Sequence, residues 1–451
     1  MSAASFLRRL LGRTRSDVGR DTRQLVSLCE ALLGERGEVS GAALARQALS
    51  AYQALDHRCR DEFFDVLARE FSPAPEAVGK AADAYRYDPT PQNLIQLQQV
   101  VDSARQELFR RLNMAAGGTA ALVEMRRQVL RGLKQHPAWN AIDADLLHLF
   151  RSWFNRGFLR LERIDWRTPA IVLEKLIEYE AVHAVQGWRD LRRRLEGDRR
   201  CFAYFHPQLR DEPLIFIEVA LTRGISAHVQ PLLDINAPVA GPAQADTAIF
   251  YSITNCQEGL RGISFGNLLI KQVAEDLKGE FPQLRQFATL SPVPGFRRWL
   301  DSTEARVKLS VGPNAEQQLA ILSAIQTPGW HAGEVPETLQ KLLLRLCAWY
   351  LLHAKQDAEP LDPVARFHLG NGAALERLNW LGDTSDSGMA RSAGLMVNYV
   401  YRLDDVERNH ERYFADHAVV ASRAVEKLAR KSPLAEAGAK PAEAGAKHSE
   451  S

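Results

Sequence analysis

The sequence predicts an α+β protein in which an all-α domain precedes a domain built around a sheet. Residues 22–190 carry apolar side chains at steps of three and four, the period of an amphipathic helix. Beyond them, runs rich in Ile, Val, Phe, Tyr and Thr occupy 201–205, 213–221 and 247–254, as is typical of strands. A chain of 451 residues also exceeds the size at which one hydrophobic core usually stays single. Two domains of different class are therefore expected.

Four segments follow from this reading. Residues 1–21 form a basic segment, 22–190 a helical domain, 191–430 a catalytic sheet domain and 431–451 a tail. The basic segment resembles a mitochondrial presequence in composition, and we favour instead a plain basic helix at the start of a cytoplasmic protein. A mitochondrial location is the alternative for a eukaryotic source. The tail repeats AEAGAK without aromatic or β-branched residues, and we expect it to be disordered.

Composition argues against several classes of protein. The net charge of +2 is too small for a typical nucleic-acid partner. No apolar run approaches the length needed to cross a bilayer. The five cysteines show no CxxC spacing, which fits a reducing compartment and gives no zinc or disulfide framework. These are Cys29, Cys59, Cys201, Cys256 and Cys347.

The stretch 255–300 combines a glycine-rich turn, an amphipathic helix, a short strand and a serine followed by proline. The turn Gly262–Gly266 precedes a predicted helix at 267–279, whose free N–H groups would suit a phosphate. It has neither the GxGxxG of a dinucleotide fold nor the Lys-Ser/Thr of a P-loop. A phosphate cradle and a plain strand-to-helix turn are both compatible with these residues.

Two further residues are candidates for chemistry. Ser291 ends the strand-like run QFATLS and is followed by Pro-Val-Pro-Gly, which would hold its hydroxyl rigidly. His368 lies in a turn-rich segment between apolar neighbours, and imidazole titrates near neutrality. Each is also compatible with an ordinary structural role, a turn serine or a buried histidine.

Three motifs resemble the malonyl-CoA decarboxylase family. They are GLRGISFGNLLIKQV, TLSPVPGFRRWL, and FHLGNGAALERLNWLGDTSDSG followed by SAGLMVNYVYRL. The resemblance covers most of 190–425 and implies a catalytic domain similar to the GCN5-type acetyltransferase (GNAT-like) fold, with a mixed central sheet. In that fold one loop holds the pyrophosphate of CoA. The residues that match it are Arg261, Gly262, Ile263, Ser264, Phe265, Gly266 and Asn267.

The resemblance also implies a reaction: malonyl-CoA would be converted to acetyl-CoA and CO2 through an enolate. Ser291 would orient the malonyl group, and His368 would donate the proton. Metal, biotin and pyridoxal are not needed, because the thioester is the electron sink and CoA is part of the substrate. Asn398, Tyr399 and Tyr401 are candidates to line the malonyl pocket, although alternating aromatic residues also suit a sheet core.

Two rival functions remain open at this point. One is a CoA-dependent acyltransferase of the same fold, and the other is a non-catalytic scaffold that binds malonyl-CoA. The resemblance further implies a homo-oligomer, a dimer or tetramer, that assembles through the helical domain at 22–190. No nucleic-acid or membrane partner is expected.

Overall fold

A computed structural model describes residues 19–263, 269–302, 305–306, 309–310 and 315–437. Most of the basic segment and of the predicted disordered tail therefore lies outside the described residues. Within them, a helical region comes first and a mixed sheet follows. The predicted fold class is confirmed in these terms.

The described chain divides into two compact units. Unit 1 draws its described residues from Met1–Leu161, Tyr204–Ile215 and Asn255–Phe265, and unit 2 draws its own from Glu162–Ala203, Phe216–Thr254 and Gly266–Ser451.

The first change of unit falls between Leu161 and Glu162, whereas the sequence predicts a boundary near residue 190. The difference has a physical reason. Arg194 lies on a helix in this intervening region and forms a buried 2.9 Å ion pair with Glu218, a strand residue of unit 2. Side chains of this region therefore belong to the interior of unit 2.

Unit 1 is built mainly from helices, and three of the described ones begin at a side-chain cap. The side chains of Asp56, Thr90 and Ser103 each accept a hydrogen bond from a backbone N–H in the first turn of the following helix. Pro75 and Pro91 occupy first-turn positions, where no N–H is required. In chain order, α1 to α8 are Arg20–Gly34, Glu38–Ala54, His57–Glu70, Pro75–Tyr87, Pro91–Val101, Ala104–Asn113, Gly118–Gly132 and Asn140–Trp153.

The segment after α8 differs from the sequence prediction, which continues the helical pattern to residue 166. The helix ends at Trp153, and Arg160–Ile164 forms a strand. Asn155 explains the end, because its side chain accepts the N–H of Gly157 and closes a tight turn. The spacing of the apolar residues does not by itself predict this turn.

The eight-stranded sheet is mixed. Strand β4 runs parallel to β5, and β10 pairs antiparallel with β5, β6 and β9. The order of the sheet is β1-β2-β3-β4-β5-β10-β6, with β9 paired to β10. In chain order, β1 to β10 are Arg160–Ile164, Arg199–Phe205, Pro213–Thr222, Thr247–Asn255, Gln286–Thr289, Ser291–Pro292, Lys355–Gln356, Glu359–Pro360, Ala374–Asn379 and Met396–Val400, of which β7 and β8 form a separate pair.

The helices of unit 2 are interspersed with the strands along the chain. The helix predicted at 267–279 is described from Leu269 to Glu280, and its buried face consists of Leu269, Ile270, Val273, Ala274 and Leu277. In chain order, α9 to α20 are Ala170–Tyr179, Trp188–Arg194, Gln230–Leu233, Leu269–Glu280, Phe296–Leu300, Ala315–Ser323, Glu337–His353, Pro363–Gly370, Asp386–Ser392, Val406–Asp416, Arg423–Arg430 and Pro433–Ala437. Among the helices that the structure describes, none is long and apolar enough to span a membrane.

Candidate active site

Ser291 begins β6, directly after the single residue that separates β6 from β5. Its register partner on β10 is Val397, and Val400 is opposite Ala288 on β5. Alternate residues of a strand share a face, so Thr289 and Ser291 point to the same side. The strand predicted to deliver Ser291 is thus present, and it adds Thr289 to the candidate residues.

His368 lies on α16, Pro363–Gly370, rather than in the turn-rich segment that the sequence predicts. Asp362 caps this helix, and Pro363 occupies its first turn. The helix ends before Gly372, whose φ of 80° lies in the left-handed region. A Cβ at Gly372 would come within 2.1 Å of the Val406 carbonyl, so a larger residue does not fit. This Asp-Pro start was the signal for a helix.

The structure brings Ser291 and His368 together in a buried chain of hydrogen bonds. Ser291 Oγ donates to Thr289 Oγ1 at 2.9 Å, and Thr289 Oγ1 also accepts the Tyr399 N–H at 3.2 Å. His368 Nε2 lies 2.9 Å from Ser291 Oγ, and His368 Nδ1 lies 2.8 Å from the Tyr401 hydroxyl. Since the serine proton is already used, Nε2–H donates to Ser291 and Nδ1 accepts from Tyr401. The chain therefore runs in one direction.

His368 is neutral in this environment. Burial lowers the pKa of His368 from its usual 6.5 to about 3, because the imidazolium would lose its hydration. The imidazole also stacks on the Tyr399 ring, with centroids 4.6 Å apart and planes 26° apart. Burial raises the pKa of both Tyr399 and Tyr401 well above the usual range. Ser291, His368 and the two tyrosines thus form a buried network without formal charge near neutral pH.

Asn398, a candidate for the malonyl pocket, has all its amide positions occupied within the protein. Its Nδ2 donates to the carbonyls of Thr289 and Ser226 at 2.7 and 3.1 Å. Its Oδ1 accepts from Arg377 and Asn379 at 3.1 and 2.9 Å. The side chain therefore fixes the backbone beside Thr289.

The predicted pyrophosphate loop is described only from Arg261 to Ile263. Ser264, Phe265, Gly266 and Asn267 lie outside the described residues. The N–H groups of Arg261 and Ile263 donate to the carbonyls of Glu258 and Leu260 within unit 1. Gly262 has a φ of 81°, which favours glycine. In the described half, these two N–H groups are therefore already used by the turn.

One buried arginine supports this turn inside unit 1. Arg126 Nη1 donates to the carbonyls of Gly259 and Arg261 at 2.8 and 2.9 Å, while its Nε pairs with Asp143 at 2.7 Å. A Cβ at Gly259 would lie 2.0 Å from the Val123 carbonyl, so the close approach requires glycine. The start of the loop is therefore held by α7 and α8.

Unit 2 contains a second buried polar network, and this one is charged. Arg194 pairs with Asp190 and Glu218, each at 2.9 Å, and Arg193 binds both oxygens of Asp198 at 2.7 and 2.9 Å. Burial raises the pKa of Glu218 to about 7, even though Arg194 opposes the shift. Because Arg194 faces two carboxylates, the more deeply buried one retains its proton more readily.

The described part of the chain shows no candidate metal-binding site. No group of three or more His, Cys, Asp or Glu side chains is arranged there to hold a metal ion. None of the described cysteines forms a disulfide. That the reaction needs no metal, biotin or pyridoxal stays a prediction.

Comparison with known proteins identifies the family. The malonyl-CoA decarboxylase N-terminal domain matches residues 71–154, and the malonyl-CoA decarboxylase C-terminal domain matches residues 157–439. The mitochondrial malonyl-CoA decarboxylase of Anser anser anser is 38% identical over 388 residues, which cover 80% of this chain and 74% of that protein.

Solved structures agree with this match. The crystal structure of malonyl-CoA decarboxylase from Rhodopseudomonas palustris is 50% identical, with a TM-score of 0.85, over 90% of this chain and 99% of the other. The corresponding structure from Agrobacterium vitis is 48% identical, with a TM-score of 0.82 and the same coverage. The fold and the matches to malonyl-CoA decarboxylases over most of the chain place the protein in the class of carboxy-lyases. The chain belongs to the malonyl-CoA decarboxylase family.

Proposed function

We propose that this protein converts malonyl-CoA to acetyl-CoA and CO2, with Ser291 and His368 as its catalytic residues. The single observation that carries the mechanism is that His368 lies within hydrogen-bond distance of both Ser291 Oγ, at 2.9 Å, and the Tyr401 hydroxyl, at 2.8 Å. Family membership supports the substrate and the reaction. The chain of hydrogen bonds supports the way in which a proton reaches the product.

The reaction begins with loss of CO2 from the malonyl group. The electron pair of the broken C–C bond moves into the thioester and forms an enolate, so the negative charge appears on the thioester oxygen and the α-carbon. A hydrogen-bond donor at that position stabilises the transition state more than the substrate. Ser291 Oγ fills this role when its proton turns from Thr289 toward the malonyl thioester.

Protonation of the α-carbon completes the reaction. Ser291 Oγ gives its proton to the carbon, His368 Nε2–H passes its proton to Ser291, and the Tyr401 hydroxyl passes its proton to His368 Nδ1. As the products leave, the two shifts reverse, the tyrosinate regains its proton from His368 Nδ1, and Ser291 Oγ takes one proton from solvent, so each turnover consumes one proton and restores the starting tautomer. Burial raises the pKa of Tyr401, which makes this recovery favourable. The enolate carbon is basic enough to accept a proton from a neutral donor.

Several finer features belong to the same proposal. Residues Arg261–Asn267 bind the CoA pyrophosphate, and no cofactor beyond the CoA of the substrate takes part. Asn398, Tyr399 and Tyr401 line or support the malonyl pocket. The protein forms a homo-oligomer through 22–190 and works in the cytoplasm. The sequence resemblance supports the CoA-binding and assembly roles.

One assay separates this function from its rivals. Purified protein is incubated with malonyl-CoA without an acceptor, and acetyl-CoA and CO2 are followed together. The proposal requires equal release of both. An acyltransferase would consume malonyl-CoA only after an acceptor amine is added, and a scaffold would bind it without turnover. Either result would exclude the decarboxylase function.

A further inference from the structure

Asp362 is a buried carboxylate outside the proposed proton path, and it lies between the two segments that carry the catalytic residues. Its side chain is only 1% exposed. It precedes α16, which carries His368, and it also contacts the segment that follows Ser291. A buried carboxylate is costly unless hydrogen-bond donors surround it, so its partners indicate what it does.

One oxygen of Asp362 caps the histidine helix. Oδ1 accepts the N–H groups of Val364 and Ala365 at 3.0 and 2.9 Å. These are first-turn N–H groups that the helix itself cannot satisfy. The cap fixes where α16 begins, and therefore where His368 lies along its axis.

The other oxygen reaches the serine segment. Oδ2 accepts the Gly295 N–H and the Tyr350 hydroxyl, each at 3.4 Å. Gly295 belongs to the Pro-Val-Pro-Gly run directly after Ser291. A Cβ at Gly295 would lie 2.3 Å from Tyr350 Oη and 3.5 Å from Asp362 Oδ2, so the junction requires glycine.

We propose that Asp362 is a positioning residue for the decarboxylation, because its two oxygens hold the His368 helix and the Ser291 segment in one fixed relation. The proposal rests on the proposed function of that pair. His368 Nε2 and Ser291 Oγ lie 2.9 Å apart on segments that are distant in sequence, and hydrogen bonds weaken steeply when their geometry changes. Asp362 is a direct polar link between these segments.

The two oxygens can be tested separately. Asp362→Asn keeps a good N-cap oxygen for Val364 and Ala365, but it presents an NH2 group to the Gly295 N–H. We expect kcat to fall by about tenfold to a hundredfold with KM little changed, on the scale of lost supporting hydrogen bonds. Asp362→Ala removes both links and should lose more activity and also thermal stability. A residue that merely caps the helix would give Asp362→Asn the kcat of the wild type.

A spectroscopic readout distinguishes failure of this proposal from failure of the proposed function. The 15N signals of His368 in histidine-labelled protein report whether Nε2–H still donates to Ser291, whatever the substrate is. In Asp362→Asn we expect the Nε2 signal to shift, while the signal of His57, an exposed residue of unit 1, stays in place. An unmoved His368 signal overturns the proposal, even if activity is lost.

Tyr350→Phe provides a second variant that leaves the helix cap intact. It removes only the hydroxyl that binds Oδ2, and its ring packing against Phe296 and Trp299 remains. We expect a loss in kcat of a few-fold, about the size of one neutral hydrogen bond. The Tyr350 hydroxyl holds Oδ2 in place for the Gly295 N–H. Full kcat in Tyr350→Phe, together with failure of Asp362→Asn to fold, would mean that Asp362 acts only through the helix cap, and the proposal would be wrong.

Discussion

Unit 2 buries two polar networks of opposite character. The chain from Tyr401 through His368 and Ser291 to Thr289 carries no formal charge near neutral pH, because burial depresses the pKa of His368. The network around Arg194 consists of paired charges. A neutral buried network can stabilise the negative charge that forms during a reaction. In a network of paired charges, loss of one partner leaves a buried charge unpaired and destabilises the fold. We therefore expect damage to the first to appear as lost activity, and damage to the second as lost stability.

Removing either catalytic residue should have the largest effect on activity. Ser291→Ala and His368→Ala should each lower kcat by about a thousandfold, within the range of general acid–base catalysis. The free energy of unfolding should fall by only about 1–3 kcal/mol from the unpaired partners that remain. Steady-state CO2 release and urea unfolding measure the two effects. Ser323→Ala and His57→Ala, at exposed positions, serve as controls. Near-normal turnover of His368→Ala would exclude it from the proton path.

Breaking the charged network should have the opposite result. Arg194→Met leaves Asp190 and Glu218 buried without their cation, which costs about 3–5 kcal/mol of unfolding free energy. Turnover per folded molecule should stay close to that of the wild type. Arg58→Met is the matched control, because Arg58 forms an exposed ion pair with Glu62. A stable but inactive Arg194→Met variant would show that the two networks are not separate.

Glu218 makes the stability of unit 2 depend on pH. Its pKa is about 7 in the folded chain, against an ordinary value of 4.5. The folded state therefore binds this proton more tightly, so the contribution to stability is complete below about pH 4.5 and is lost as pH rises through 7. The loss is about 3 kcal/mol. Urea unfolding from about pH 5 to 8 should show this slope in the wild type, less of it in Glu218→Gln, and the full slope in the exposed control Glu178→Gln. An identical slope in wild type and Glu218→Gln would exclude Glu218 as its source.

The smallest expected effect concerns the donor behind the histidine. Tyr401→Phe removes the hydroxyl that binds His368 Nδ1 and leaves the ring in place. Ser291 still gives its own proton to the enolate carbon in this variant, so the loss is that of one supporting hydrogen bond of about 1 kcal/mol, and kcat should fall by about fivefold to tenfold with KM nearly unchanged. Pre-steady-state release of CO2 and of acetyl-CoA would show whether the protonation step is the slow one. A change in KM alone would mean that Tyr401 contributes to binding and not to proton transfer.

The sequence predicted the two segments that meet at the site, because short motifs carry them. Ser291 was found beside its Pro-Val-Pro-Gly run, and His368 within FHLGNG. Thr289 was missed, although its spacing from Ser291 on a strand already placed both side chains on one face. The helix at Pro363–Gly370 is not predicted either, although its Asp-Pro start is typical of a helix N-terminus.

Apart from the pairing of Ser291 with His368, which the family resemblance implies, contacts between distant segments could not be predicted. The link between Asp362 and Gly295 spans 67 positions, and no local pattern indicates it. The direction of the hydrogen bonds through His368 could not be predicted from the sequence either, because it depends on which neighbour accepts the hydrogen bond from the Ser291 hydroxyl. The two-unit division follows the buried ion pairs of Arg194 and not the change in hydrophobic period that predicted a boundary at 190.

The protonation state of His368 tests the central claim most directly. Protein labelled with 15N in histidine is titrated from about pH 5 to 9, a range that spans the ordinary pKa of imidazole. The structure predicts that the His368 signals stay those of a neutral ring with hydrogen on Nε2 throughout this range. Signals that titrate near the ordinary pKa, or a neutral ring with hydrogen on Nδ1, would contradict the proton path from Tyr401 through His368 to Ser291.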